Sequence, residues 1–170
     1  MKDSQLFQQL IFRRAEQRDL SVILKLLMED ELGKTRESLS EVPEPCYEAA
    51  FQKITADLNH SLMVVECENQ IIGICHLTLL PSLTFRGSTR LQVESVHVAE
   101  VFRGRGIGEW MFQKIFIYAR QQHVSIIQLT TNKVRARAKK FYERLGFQAT
   151  HEGMKFLFKI DNKVLSYLCR

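Results

Sequence analysis

Val98-Ala99-Glu100-Val101-Phe102-Arg103-Gly104-Arg105-Gly106-Ile107-Gly108 sets three glycines between two apolar patterns of different period. Before them, residues 90–98 (RLQVESVHV) alternate as a strand. Leu91, Val93, Ser95 and His97 fall on one face, and Gln92, Glu94, Val96 and Val98 on the other. After them, Ile107, Met111, Ile115 and Tyr118 recur at helical spacing through about Gln122, with Phe112, Phe116 and Ala119 alongside. Glycines at a strand-to-helix turn let backbone N–H groups approach a ligand closely, and the helix N-terminus adds partial positive charge. The pattern is an anion site suited to phosphate. Two nucleotide motifs fail by residue: a dinucleotide fingerprint starting at Gly104 and Gly106 would need glycine where Glu109 stands, and a P-loop needs Lys-Ser/Thr where Glu109-Trp110 follow Gly108.

Working outward, residues 6–14 (LFQQLIFRR) read as a first strand. Asp19 is placed to cap a helix whose apolar residues are Leu20, Ile23, Leu24, Leu27 and Met28. Residues 32–45 read as a loop, and residues 47–58 as a second helix. Residues 62–66 and 71–80 form a hairpin about a turn at Asn69-Gln70, and residues 81–89 form a loop. Residues 126–129 are a strand. Val134, Ala138, Phe141 and Leu145 line a helix that Gly146 stops as its C′ residue. Residues 147–150 and 154–160 read as closing strands about a His151-Glu152-Gly153 turn. The order predicts an α/β domain spanning residues 1–170, a mixed sheet covered by helices.

The chain has 170 residues, 45% of them hydrophobic, which suffices for one core without staples. No run approaches the roughly 18 apolar residues of a membrane span, and no signal-peptide core follows Met1. Cys46, Cys67, Cys75 and Cys169 are scattered, without the spacing of a zinc site or disulfide framework. A cytoplasmic protein with reduced thiols and no metal is expected. The net charge is +5, and residues 133–144 hold six basic residues against Glu143, an excess equal to that of the whole chain. Such a patch faces an anionic partner or is a solvated helix face.

Arg103-x-x-Gly106-x-Gly108 after Val96-His97-Val98 resembles the R/Q-x-x-G-x-G/A motif of the GNAT superfamily of N-acetyltransferases. Ala138-Lys139-Lys140-Phe141-Tyr142-Glu143-Arg144-Leu145-Gly146-Phe147 is similar to that family's A-x-x-x-Y-x-x-x-G-F signature, in the right order and at the right spacing. The resemblance implies the GNAT fold: a central mixed, mostly antiparallel sheet of about seven strands flanked by about four helices. It implies an acetyl-CoA co-substrate, its pyrophosphate held by backbone amides of Arg103, Gly104, Arg105, Gly106, Ile107 and Gly108. It also implies a sheet that splays after residues 90–98, so that the pantetheine arm enters between that strand and residues 126–130. Ala138 belongs to the same binding surface. Where the family often has Asn, this chain has Arg135, with Asn132 three residues earlier. Arg135 is placed either against a CoA phosphate or in solvent.

Acetyl transfer to an amine needs a neutral nucleophile, a donor for the oxyanion and a proton for the leaving thiolate. The resemblance assigns the donor to a backbone N–H of Val96, His97 or Val98 and the thiolate's proton to Tyr142. Tyr142 is otherwise a core aromatic beside Phe141. Glu94 is the candidate base, acting directly or through water; otherwise it is an exposed strand glutamate. Two readings follow: an N-acetyltransferase working by direct transfer in a ternary complex, or a non-catalytic module that senses acyl-CoA. The acceptor is expected to be a primary amine of a small molecule, with a protein amine as the other possibility. Residues 30–45 and 81–89 are expected to form its side of the site. Nucleic acid and membrane are not expected partners, and a homodimer formed by sheet edges is consistent with the family.

Overall fold

The computed structural model describes residues 6–29, 43–156 and 158. Five strands form one sheet in chain order: β1 (Leu10–Arg14), β2 (His60–Cys67), β3 (Gln70–Pro81), β4 (Thr89–Val98) and β5 (Ile126–Leu129). The first four are antiparallel, and β4 and β5 run parallel. Among the described residues, four helices of nine residues or more flank them: α1 (Leu20–Met28), α2 (Pro45–Ala56), α3 (Ile107–Gln121) and α4 (Ala136–Arg144), with short helical turns at Gln17–Asp19, Thr84–Gly87 and Glu100–Phe102. This is the expected mixed, mostly antiparallel sheet with four helices.

The strand count is five among the described residues rather than seven. Residues 147–150 form no strand. The reason lies in the end of α4. Gly146, at φ 94, donates to Glu143 O and Phe147 donates to Tyr142 O, both at 3.0 Å. This is the 6→1, 5→2 closure of a Schellman cap, so the Phe147 N–H closes a helix instead of joining a ladder. Its ring packs on Phe112 and Phe116. Residues 154–156 are not strand either, and the rest of the expected last strand lies almost wholly outside the described residues.

Other boundaries move for local reasons. Residues 6–8 make a helical turn, so β1 starts at Leu10. The β2–β3 turn is Glu68-Asn69, both at positive φ (50° and 63°), one residue earlier than expected. Two left-handed residues match the twist of a tight hairpin. Asp19 does not cap α1 with its side chain. Its carboxylate accepts instead from Arg13 (2.6 Å) and the Glu16 N–H (2.7 Å). Arg13 also binds Glu66, so this charge cluster pins β1 to β2 and to the start of α1. Val134 is exposed rather than in the α4 stripe, because its N–H and that of Arg135 are taken by Asn132 Oδ1 and O.

The sheet buries both faces. On one, Leu20, Ile23, Leu24 and Leu26 of α1 and Phe51 of α2 cover Val64 and Ile74. On the other, Met111, Phe112 and Ile115 of α3 cover Val65, Cys75, Leu77, Leu91 and Val93, and α4 adds Phe141 and Tyr142.

Candidate active site

β4 does not alternate to its end. Ser95 sits at φ 51, a left-handed conformation that a non-glycine residue enters at a cost. The β3–β4 register slips there: Ile74 pairs with His97, but His76 pairs with Glu94. One extra residue is therefore inserted opposite Cys75, which is a β-bulge. The side-chain pattern reverses beyond it. Val96 and Val98 join the cluster of Leu91 and Val93 under α3, rather than sharing the face of Glu94. That corrects the sequence expectation, which carried strict alternation through residue 98. Glu94 itself is exposed, on the α1–α2 side.

The β4–β5 pairing stops at the same place. It runs from Arg90↔Ile126 to Val93↔Leu129 and no further. The second half of β4, Glu94 to Val98, thus has no β5 partner among the described residues, and the two strands part inside β4 rather than after it. Gln92 and Gln128 close the paired end with a 2.8 Å side-chain hydrogen bond. The open stretch contains Val96, His97 and Val98, whose backbone was the expected oxyanion donor.

The glycine turn continues from β4. Gly104 and Gly106 both adopt positive φ (76° and 80°), and Gly106 is the N-cap of α3. The first intrahelical bond is Trp110 N–H to Gly106 O. The N–H groups that precede it in α3 have no intrahelical acceptor, as at any helix start. A Cβ on Gly104 would meet nothing, whereas one on Gly106 would lie 3.1 Å from the Phe7 ring. One on Gly108 would lie 3.1 Å from the Phe141 ring, so this glycine serves close packing of α4 on α3. The turn therefore combines an open, N–H-rich approach with a packing role.

Arg103 departs from the simple picture of a phosphate clamp. Its Nε donates to Val98 O at 2.8 Å, and its Nη2 lies 3.3 Å from Glu29 Oε2. The same Glu29 oxygen accepts from the Glu100 N–H at 2.8 Å. The side chain thus fixes the turn to the end of α1. Arg105 lies over the Phe102 ring, 5.6 Å from its centroid. Ile107 is buried and anchors α3.

Tyr142 lies on the opposite side of the sheet from Glu94. Its ring packs edge-on against Phe112, Phe141 and Phe147, with centroids 5.3–6.0 Å apart. Burial raises its phenol above the ordinary value; Arg135 opposes this and Cys75 adds to it. Cys75 is the residue facing the bulge, and Tyr142 packs against the core cluster that contains it, on the α3 side of the sheet. Arg135 is half-buried at the N-cap of α4. Asn132 is exposed with its side chain spent on its own turn, and Ala138 is half-buried on α4. Burial pushes the Cys75 thiol well up, which keeps it protonated and a poor nucleophile. No group of three or more His, Cys, Asp or Glu that could hold a metal occurs among the described residues. No helix among them is long and apolar enough to cross a membrane.

Sequence reasoning missed the polar neighbours of Glu94. His76 stands opposite it, and His76 Nε2 lies 2.9 Å from His60 Nδ1. Thr78 Oγ1 lies 3.2 Å from the same His60 atom. Alternation within IIGICHLTLL puts His76 and Thr78 on one face, but only the true hairpin register brings His60 and Glu94 beside them. Most of the expected acceptor loop, including Asp30, Glu31, Glu37 and Glu41, lies outside the described residues.

Comparison with known proteins agrees with the fold. The model of the acetyltransferase (GNAT) family matches residues 20–147. The chain belongs to that family of acetyltransferases. Among solved structures, a transcriptional regulator from Bacillus halodurans C-125 is 37% identical, with a TM-score of 0.85 over 88% of this chain and 99% of its own. A glucosamine-6-phosphate N-acetyltransferase from Arabidopsis thaliana is 18% identical, with a TM-score of 0.72 over 88% of this chain and 99% of its own. A predicted acetyltransferase from Clostridium acetobutylicum, solved with acetyl-CoA, is 19% identical, with a TM-score of 0.67 over 87% and 96%. At those two identities the likeness is one of fold. No curated protein matches the sequence.

Proposed function

We propose that this protein transfers the acetyl group of acetyl-CoA directly to a primary amine, in a ternary complex. The observation that carries the reading is the bulge at Ser95, where β4 parts from β5. It leaves a gap with Glu94 on one side of the sheet and Tyr142 on the other. A thioester lying in that gap is open to an amine from the Glu94 side and to a proton donor from the Tyr142 side.

Each role follows from its surroundings. The N–H groups of residues 104–108 at the start of α3 hold the pyrophosphate, and the cationic rim of α4 faces the remaining phosphate; the Arg103 N–H, expected in the same role, donates instead to Glu100 O at 3.1 Å, where it closes the turn before the glycines. Glu94 takes one proton from the acceptor ammonium. The freed amine attacks the thioester carbon, and a backbone N–H of residues 96–98 stabilises the oxyanion. The C–S bond then breaks, the Tyr142 hydroxyl gives its proton to the thiolate, and the second proton of the nitrogen leaves to water as the amide forms, from which the phenolate is reprotonated. A phenol raised by burial is fully protonated at neutral pH, the state an acid must start from. The exposed approach to Glu94 suits the amine of a small molecule.

Calorimetric titration with acetyl-CoA, without acceptor, tests the reading first. One-to-one micromolar binding is expected. No binding at millimolar acetyl-CoA overturns it. Thiol release on adding primary amines then separates an enzyme from a module that only binds.

A further inference from the structure

We propose that His76 and His60 form a proton exit for Glu94, leading from the acceptor side of the sheet to solvent beside Asp57. The inference rests on the acetyltransferase reading above. Its premise is steric: a base that accepts a proton from a bound amine has that amine across its open side. Glu94 is exposed in the free protein, but the acceptor must occupy that exposure to reach it. The proton then needs another way out.

The sheet supplies one. Glu94 on β4 pairs directly with His76 on β3, so their side chains are cross-strand neighbours on one face. His76 Nε2 lies 2.9 Å from His60 Nδ1 on β2. His60 Nε2 lies 3.9 Å from Asp57 Oδ2, and the His60 and Asp57 side chains are 30% and 48% exposed. Along this path the groups run from the site to the surface. Burial is complete at neighbouring Val64 and Ile74, and the polar chain starts where that cover ends.

The hydrogen-bond roles are consistent. His60 Nδ1 has two partners, His76 Nε2 and Thr78 Oγ1. If that nitrogen accepts from His76 Nε2–H, the shorter contact, His60 carries its proton on Nε2, toward Asp57, and His76 carries its own on Nε2. One proton then moves in balance. Glu94 passes the amine's proton to His76 Nδ1, His76 Nε2 passes its proton to His60 Nδ1, and His60 Nε2 releases one to water beside Asp57. Both rings end neutral, as the other tautomer. The relay needs both rings neutral at rest. Burial lowers the His76 imidazole, His60 lowers it further, and Glu94 opposes them. Among the described residues, His97, paired with Ile74, and Arg90, paired with Leu80, are the other titratable groups on this face of β4.

Imidazole titration by 15N NMR tests the unit without knowing the acceptor. At high pH both rings are expected as Nε2–H tautomers. Glu94→Gln is expected to lower the His76 midpoint by about one pH unit, since a carboxylate partner is lost. His60→Asn is expected to raise it. With spermidine as probe amine, His60→Asn is expected to lower kcat about tenfold, leave the KM for acetyl-CoA unchanged, and recover with added imidazole. An unmoved His76 midpoint in Glu94→Gln, in protein that binds acetyl-CoA, overturns the relay alone. Wild-type kcat in His60→Asn does the same. Failure of the wild type to bind acetyl-CoA overturns the enzyme reading itself and the relay with it.

Discussion

Gly106→Ala separates the two jobs of the glycine turn. Gly106 sits at φ 80 and ψ 1, where an L-residue pays about 1–2 kcal/mol. Its new Cβ would also lie 3.1 Å from the Phe7 Cζ, closer than ordinary contact. Phe7 belongs to a half-buried terminal turn that can give by a few tenths of an ångström, so this adds under about 1 kcal/mol. The total of about 1–3 kcal/mol predicts a fall in Tm of roughly 3–9 °C. Gly104→Ala pays only the backbone cost, because nothing lies near its Cβ. The binding effect should be larger and of different origin. Relaxing φ at residue 106 turns a peptide plane at the mouth of α3. Losing one N–H bond to a charged phosphate costs about 1.5–3 kcal/mol, or roughly 10- to 150-fold in Kd for acetyl-CoA. Thermal melts with and without acetyl-CoA, alongside calorimetry, measure both quantities. A lowered Tm with unchanged Kd would refute the cradle and leave Gly106 a packing residue.

Tyr142→Phe keeps the ring contacts with Phe112, Phe141 and Phe147, so acetyl-CoA affinity should hold within about twofold while turnover falls about 100-fold; single-turnover thiol release checks it. Glu94→Gln should lower kcat about 100-fold and leave the KM for acetyl-CoA unchanged, and a wild-type kcat removes Glu94 as the base. Asp19→Ala should cost about 3 kcal/mol in chemical denaturation, the low end for breaking a buried pair, because Glu66 still holds Arg13. Burial alone would raise the Asp19 carboxyl, but the Arg13 hydrogen bond, the Glu16 N–H and the Arg13 charge outweigh it and leave it lowered from 3.8. Its contribution is therefore present above pH 3.8 and lost as pH falls through the lower folded value, a slope that the variant should lack. Duplex DNA held in low salt by α4 should be released by saturating CoA; association that persists would assign the basic helix to nucleic acid.

Period and punctuation made most of the fold legible. β5 and the start of α3 fall where the apolar pattern put them, and Gly146 closes α4 as its position foretold. The glycine turn was equally legible, because only a few residue types permit left-handed backbone before a helix. What escaped is what register decides. The hairpin turns one residue early, and β3 carries an extra residue, Ile72, opposite the step from Val65 to Glu66. Those two shifts choose which side chains meet across strands, and no local pattern encodes them.

Ser95 shows why the site was harder to read than the scaffold. Serine is not a residue that announces positive φ, so RLQVESVHV looks like eight regular alternations. Strict alternation would place Val96 beside Glu94, leaving an apolar side chain in the acceptor approach and a hole beneath α3. The bulge removes both conflicts at once: Val96 and Val98 return to the core, and Glu94 keeps polar company in His76. It also falls where the β5 pairing ends, so no ladder on that side resists it. The backbone cost at Ser95 is thus offset by burial of two valines, and the parted strand is a consequence of the core's own packing.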